Sequence, residues 1–201
     1  MKAKFAAGFQ NGAWTQDDKG YSIRSGYEWS RKRGTICDWH KTIWSSWAIP
    51  KQSVITWLCM HKALNVRDKL KRIGYCDDDS CVLCGNGTET HDHLFFSCEY
   101  SRLVISALEK WSNCKIPMAD AIHGRASTQG TYPQKQFYGL LICSCYYMIW
   151  MQRNKCRMDM MVRRPEYVAK DIIASLNVRL KEKLRNLSIE KDKFWLSRIG
   201  F

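Results

Sequence analysis

The sequence predicts a mainly α-helical fold, and three observations carry that prediction. From Trp39 onward, apolar residues recur at three- and four-residue spacings. Prolines and glycines fall where helices start and stop. The first 34 residues lack this periodicity, and one compact group of cysteine and histidine interrupts it near the middle of the chain.

Residues 1–34 are polar, basic and glycine-rich, with Asn11-Gly12, Lys19-Gly20, Ser25-Gly26 and Arg31-Lys32-Arg33-Gly34 marking turns. They predict an irregular arm, disordered at its start, with one short hairpin around Tyr21 to Trp29. Arg31-Lys32-Arg33 reads as a solvated turn rather than a nuclear address. Ile43 and Trp47 then stand four residues apart, and Pro50 both breaks that run and suits the first turn of the next helix. In this next helix Val54, Leu58 and Met60 or His61 share a face, while Lys51, Gln52 and Lys62 can stay solvated. Arg67 to Ile73 predicts a short basic helix with Gly74 in a stopping position.

Further along, Leu103, Val104, Ala107, Leu108 and Trp111 predict an amphipathic helix over Ser101 to Trp111. Asn113 to Tyr132, with Pro117, Gly124 and Gly130, reads as a linker or long loop. An apolar helix from about Gln134 to Cys156 follows. Its most apolar run, Phe137 to Met151, would make a helix of roughly 22 Å against a hydrocarbon core of roughly 30 Å, so a buried helix is expected and no membrane span. The last helix opens at Arg164-Pro165-Glu166, with proline in the first turn and an acid favouring the helix dipole. Val168, Ile172, Leu176, Leu180 and Leu184 give it an apolar stripe suited to the core or to a docking face. Arg179, Lys181, Lys183 and Arg185 make its far end basic.

The interrupting group runs from Cys81 to Cys98 and reads C-x₂-C-x₈-H-x₄-C. Two cysteines separated by two residues can turn both sulfurs onto one ion. Gly85 follows at once, where a positive φ lets the backbone wrap that ion. Thiolates and an imidazole in this pattern point to tetrahedral zinc, and four protein ligands leave no open position, so the site is structural. A disulfide framework is the competing reading of ten cysteines. The opening Met-Lys-Ala-Lys-Phe-Ala-Ala-Gly-Phe breaks at Gln10 and Asn11, too early for a secretory leader. The chain is therefore expected inside the cell, in nucleus or cytoplasm, where such spacing means metal. Spacing alone leaves His91 and His93 in competition as the third ligand.

Glu89-Thr90-x-x-His93-Leu94-Phe95-Phe96-x-Cys98, downstream of Cys81-x-Leu83-Cys84, resembles the zinc-binding domain that follows the reverse transcriptase in plant LINE-type (non-LTR) retrotransposons. Trp39-His40-Lys41-x-Ile43-Trp44, Pro50-Lys51, Thr56-Trp57 and Asn65-x-Arg67-Asp68-Lys69-Leu70-x-Arg72 follow that family's order. Ile149-Trp150-x-x-Arg153-Asn154 is similar to its Trp-x-x-Arg-Asn element. Thr56 replaces the usual aromatic, and Asn65-Val66 replaces Leu-Thr. The resemblance covers about residues 20 to 185 and implies Cys81, Cys84, His93 and Cys98 as the ligands of one structural zinc, with His91 outside. The expected organisation is a basic arm over 1–34, the zinc-stapled helical domain over 35–115, and a linker with C-terminal helices over 116–201. An initiating Met without polymerase sequence suggests a fragment or a stand-alone, domesticated gene.

A net charge of +13, from 32 Lys and Arg against 19 Asp and Glu, favours polyanions. With the resemblance, it makes RNA or DNA the expected partner. Arg67, Lys69, Lys71 and Arg72 beside the knuckle are the candidate phosphate contacts, and Trp or Phe could stack on unpaired bases. The alternative is a protein-interaction or regulatory module with no nucleic-acid binding.

No enzyme is expected. Tyr75-Cys76-Asp77-Asp78 has the Tyr-x-Asp-Asp form of a polymerase site, but it follows a basic helix and lacks the flanking apolar strands that two-metal chemistry needs. Cys37-x-x-His40 and Cys59-x-His61 read as core residues rather than a second metal site. Cys143, Cys145 and Cys156 read as inert buried thiols.

Overall fold

The computed structural model describes residues 37–116, 118 and 131–185, with Phe9–Gln10, Ala13–Trp14, Tyr27 and Ser197. The chain divides into two units, 1–36 and 37–201. In the first, β1 (Phe9–Gln10) pairs antiparallel with β2 (Ala13–Trp14), Phe9 opposite Trp14. The two strands flank Asn11-Gly12, the dipeptide favoured in two-residue hairpin loops. The hairpin expected around Tyr21 to Trp29 lies outside the described residues, Tyr27 excepted.

The second unit is helical: α1 (His40–Ile43), α2 (Pro50–Met60), α3 (Arg67–Arg72), a π-helical turn (His93–Ser97), α4 (Glu99–Ser112), α5 (Tyr132–Asp159) and α6 (Pro165–Leu184). Pro50 and Pro165 occupy first turns as expected, and Gly74 has φ +73° just past α3. Asn113 ends α4 in a left-handed conformation.

α5 is the axis of this unit. It begins two residues earlier than its apolar pattern suggests, because Thr131 and Gln134 form a capping box, and it runs on to Asp159. α1, α2 and α6 all pack on it, and α4 packs on α6. Phe137, Leu140, Leu141, Ile142, Tyr146 and Ile149 are fully enclosed, with Phe95 of the π-helical turn 5.0 Å from the Tyr146 ring. No helix is long and apolar enough to cross a membrane among the described residues. The stripe Val168, Ile172, Leu176, Leu180 and Leu184 is buried, so it belongs to the core and is not a docking face. Arg179 donates from Nε and Nη2 to the carbonyls of Trp47 and Ala48, at 3.0 and 3.3 Å, and so fixes the α1–α2 connection.

α2 corrects an expectation. Val54 is 44 % exposed, while Gln52, Ser53 and Thr56 are buried. The reason is tertiary hydrogen bonding: Ser53 Oγ donates to the Ile43 carbonyl, and Ser144 Oγ of α5 donates to Gln52 Oε1. In α4, Val104 and Leu108 face inward as expected, but Leu103 is exposed.

α1 and α5 meet at Gly139, where an added Cβ would stand 2.5 Å from the Thr42 carbonyl oxygen. In an open helix Gly→Ala gains about 1 kcal/mol. Here backbone blocks the methyl, so the sign reverses. Gly139→Ala should lower stability by about 1–3 kcal/mol in urea unfolding while zinc content stays unchanged.

Candidate metal centre

The Cys81 knuckle is shaped by its backbone. Ser80 and Thr88 form an antiparallel bridge, and the Cys81 N–H donates to the Gly87 carbonyl. Gly85 has φ +73°, and its N–H returns to the Cys81 carbonyl at 2.8 Å. The opposite wall is the π-helical turn. Its entry is capped by Thr90, whose Oγ1 accepts from the His93 N–H, and the Cys98 N–H closes it onto the His93 carbonyl at 2.7 Å. Leu94 and Phe95, fully buried, anchor the turn to the core and leave His93 and Cys98 facing the knuckle.

Donor atoms of Cys81, Cys84, His93 and Cys98 consequently all lie within 4.8 Å of one another. Cys81 Sγ and Cys98 Sγ are 3.8 Å apart, and Cys84 Sγ is 3.4 Å from His93 Nε2. A zinc tetrahedron with Zn–S of about 2.3 Å and Zn–N of about 2.0 Å has S–S edges of about 3.8 Å and S–N edges of about 3.5 Å. The donors fit. A disulfide needs about 2.05 Å between sulfurs, which the Cys81–Cys98 pair does not approach.

The Cys81 thiol hydrogen-bonds Cys98 and, with backbone N–H groups of Ser101 and Tyr100, pulls the Cys98 thiol down to about 5. Cys81 is pushed up correspondingly. Among the other buried thiols, burial raises Cys143 to about 11 and raises Cys145 further. His91 is 9 % exposed and stands outside the four-donor group.

Residues 21–104 match the zf-RVT family model, zinc-binding in reverse transcriptase. No curated protein and no solved structure matches the chain. The zf-RVT segment brings one structural zinc, and Cys81, Cys84, His93 and Cys98 form the site with the donor set for it. It ends within α4, before the long α5.

The other constellations stay apart. Among the described residues no second group of three or more candidate metal ligands comes together. Cys59 is buried, and His61 lies between the rings of Trp39 and Trp57. Residues 73–79 form no strand. Asp78 instead accepts hydrogen bonds from the Ser80 hydroxyl and N–H, which with Arg67 hold its carboxyl below the usual range. Basic α3 is partly neutralised: Arg67 pairs with Asp78, Lys71 with Asp79 and Arg72 with Asp68, while Lys69 reaches the Ala63 carbonyl.

One element of the site was missed by sequence reasoning. Glu89, wholly buried in the zinc loop, receives Arg153 Nε and Nη2 of α5 on its Oε1 at 2.8 and 2.6 Å. The Arg67 N–H donates to the same oxygen, and the Glu89 backbone binds the Asp79 carbonyl and the Asp68 N–H. Thus one carboxylate ties the zinc loop to both α3 and α5. The available signal was Arg153 itself, three, four and seven residues from buried Cys156, Ile149 and Tyr146 on α5.

Two outcomes follow from this geometry. Cys84→Ser should lower the melting temperature sharply, because a structural zinc contributes roughly 10 kcal/mol or more of apparent binding free energy; an unchanged melting temperature, with no zinc found in the wild type by metal analysis, contradicts this. Glu89→Gln should cost about 3–5 kcal/mol in denaturant unfolding, since Arg153 is left buried without its charge partner, and Glu89→Gln combined with Arg153→Met should regain much of the loss.

Proposed function

We propose that this protein is a non-catalytic, zinc-stapled module of LINE-type retrotransposon origin that contacts RNA or DNA through the basic surface of α3. The observation that carries the reading is the anchoring of α3 to the zinc loop. The Arg67 and Asp68 N–H groups both end on Glu89, and Lys71 pairs with Asp79 one residue before Ser80. A zinc-fixed loop therefore fixes α3, which carries Lys69, Lys71 and Arg72, before any phosphate arrives, and this lowers the ordering cost of binding.

The neighbourhood supports this. Tyr75, 67 % exposed, follows α3 by three residues, and the Arg157 guanidinium of α5 lies 5.2 Å above its ring. An aromatic ring beside cations suits stacking on unpaired bases. The partial pairing with aspartates is compatible with phosphate binding, because exposed ion pairs contribute only about 0–1 kcal/mol each and exchange partners readily.

A second reading, docking of a protein partner, has one specific observation in its favour. Met158 in the last turn of α5, and Met160 and Met161 in its connection to α6, are 80, 85 and 71 % exposed. Methionines in such positions form adaptable contact surfaces.

The deciding experiment is titration of labelled RNA and DNA at several salt concentrations. Wild type should bind with affinity falling steeply as salt rises, and Lys71→Glu with Arg72→Glu should weaken binding and flatten the salt slope by about 2. Absence of affinity for either nucleic acid at low salt excludes the first reading and leaves the second.

A further inference from the structure

α2 turns several polar residues inward and some apolar ones outward. Beside buried Cys59 and the core-packed Ile55, Leu58 and Met60, its inner face holds Gln52, Ser53 and Thr56, each satisfied by a hydrogen bond, including Thr56 Oγ1 to the Gln52 carbonyl at 2.8 Å. Its outer face carries Val54 and Trp57, 44 and 40 % exposed, in line with Lys51 and His61 at three- and four-residue spacings. Trp57 and Trp39 approach the His61 ring edge-on, with centroids 5.0 and 5.6 Å away. Trp44, 50 % exposed, stands three residues from exposed Lys41 at the end of α1. Water alone favours the reverse arrangement, polar outward and apolar inward. Exposed Val54 and Trp57, with half-buried Trp39 sharing the His61 ring, mark an interaction surface.

We propose that this α1–α2 face is a stacking platform for a single-stranded nucleic acid, taking unpaired bases on Trp57 and Trp39 and phosphates on Lys41, Lys51 and Lys62. The inference rests on the nucleic-acid reading above and gives it a second contact surface, distinct from α3. Charge complementarity selects the occupant. Exposed Lys51 stands in the first turn of α2, and exposed Lys62 stands just past its end. The exposed acids on these segments and facing them are Asp38 and Asp92, the latter already paired with Lys62 at 3.1 Å. A duplex hides its base faces, so only unpaired strands can use such a platform.

The test is fluorescence anisotropy of the full chain with short oligo-uridine RNA, oligo-thymidine DNA and a duplex of matched length. Wild type, Trp57→Ala, Trp57→Phe and the Lys71→Glu/Arg72→Glu variant are compared, and zinc content and circular dichroism check the fold. Trp57→Ala should weaken binding to at least one single strand about tenfold and leave duplex affinity unchanged. Trp57→Phe, which keeps a ring, should retain most of the single-strand affinity. Wild-type single-strand affinity in folded Trp57→Ala overturns the platform and leaves the α3 surface standing. Failure of the wild type to bind any of the three probes overturns the nucleic-acid reading itself, and the platform with it.

Discussion

The carboxylate of Glu89 is the constraint on which the central region depends. It is completely buried, and a buried charge is tolerable only when fully compensated. Arg153 supplies the compensating charge from α5, and backbone N–H groups from Arg67 and, at 3.5 Å, Val82 supply further donors. Arg153 in turn lies 4.9 Å from the Trp150 ring centre, and Cys156, one turn on, donates to the Val82 carbonyl within the knuckle. Three chain segments far apart in sequence thus share one electrostatic contact. Losing either charge strands the other in the core, which makes the contact specific as well as strong.

Zinc and this ion pair divide the work. Four donors in a closed set fix the shape of the loop from Cys81 to Cys98, with no position left for substrate or water. Glu89, inside the same loop, fixes where that shape sits on the helices. The centre is therefore a structural one. α3 is joined to the loop directly, whereas the outward face of α2 is set by polar contacts with α5 and with the end of α1.

The sequence was most readable where the signal is local. Cys81, Cys84, His93 and Cys98 stand within eighteen residues, so spacing and residue type were enough to find the centre, and flanking residues separated His93 from His91. The stripe from Val168 to Leu184 announced α6 by its four-residue period. What stayed hidden depends on partners distant in the chain. Gln52 looks solvent-seeking until Ser144 of α5 is placed beside it. Glu89 and Arg153 were visible as two parts of one resemblance, but 64 residues separate them and no local rule pairs them. The length of α5 was understated for a different reason: its first turn is set by a capping box, and its last by the left-handed Met160, rather than by apolar periodicity. Residues 119–130 lie outside the described residues.

The central claim, that zinc order passes through Glu89 into α3 and α5, is tested most directly by amide hydrogen exchange with and without a zinc chelator. Removing the metal should release protection together at Cys81 to Cys98, at Arg67 to Arg72 and around Ile149 to Cys156, as one cooperative unit. Loss confined to the Cys81 to Cys98 loop, with α3 and the middle of α5 as protected as before, would contradict the account.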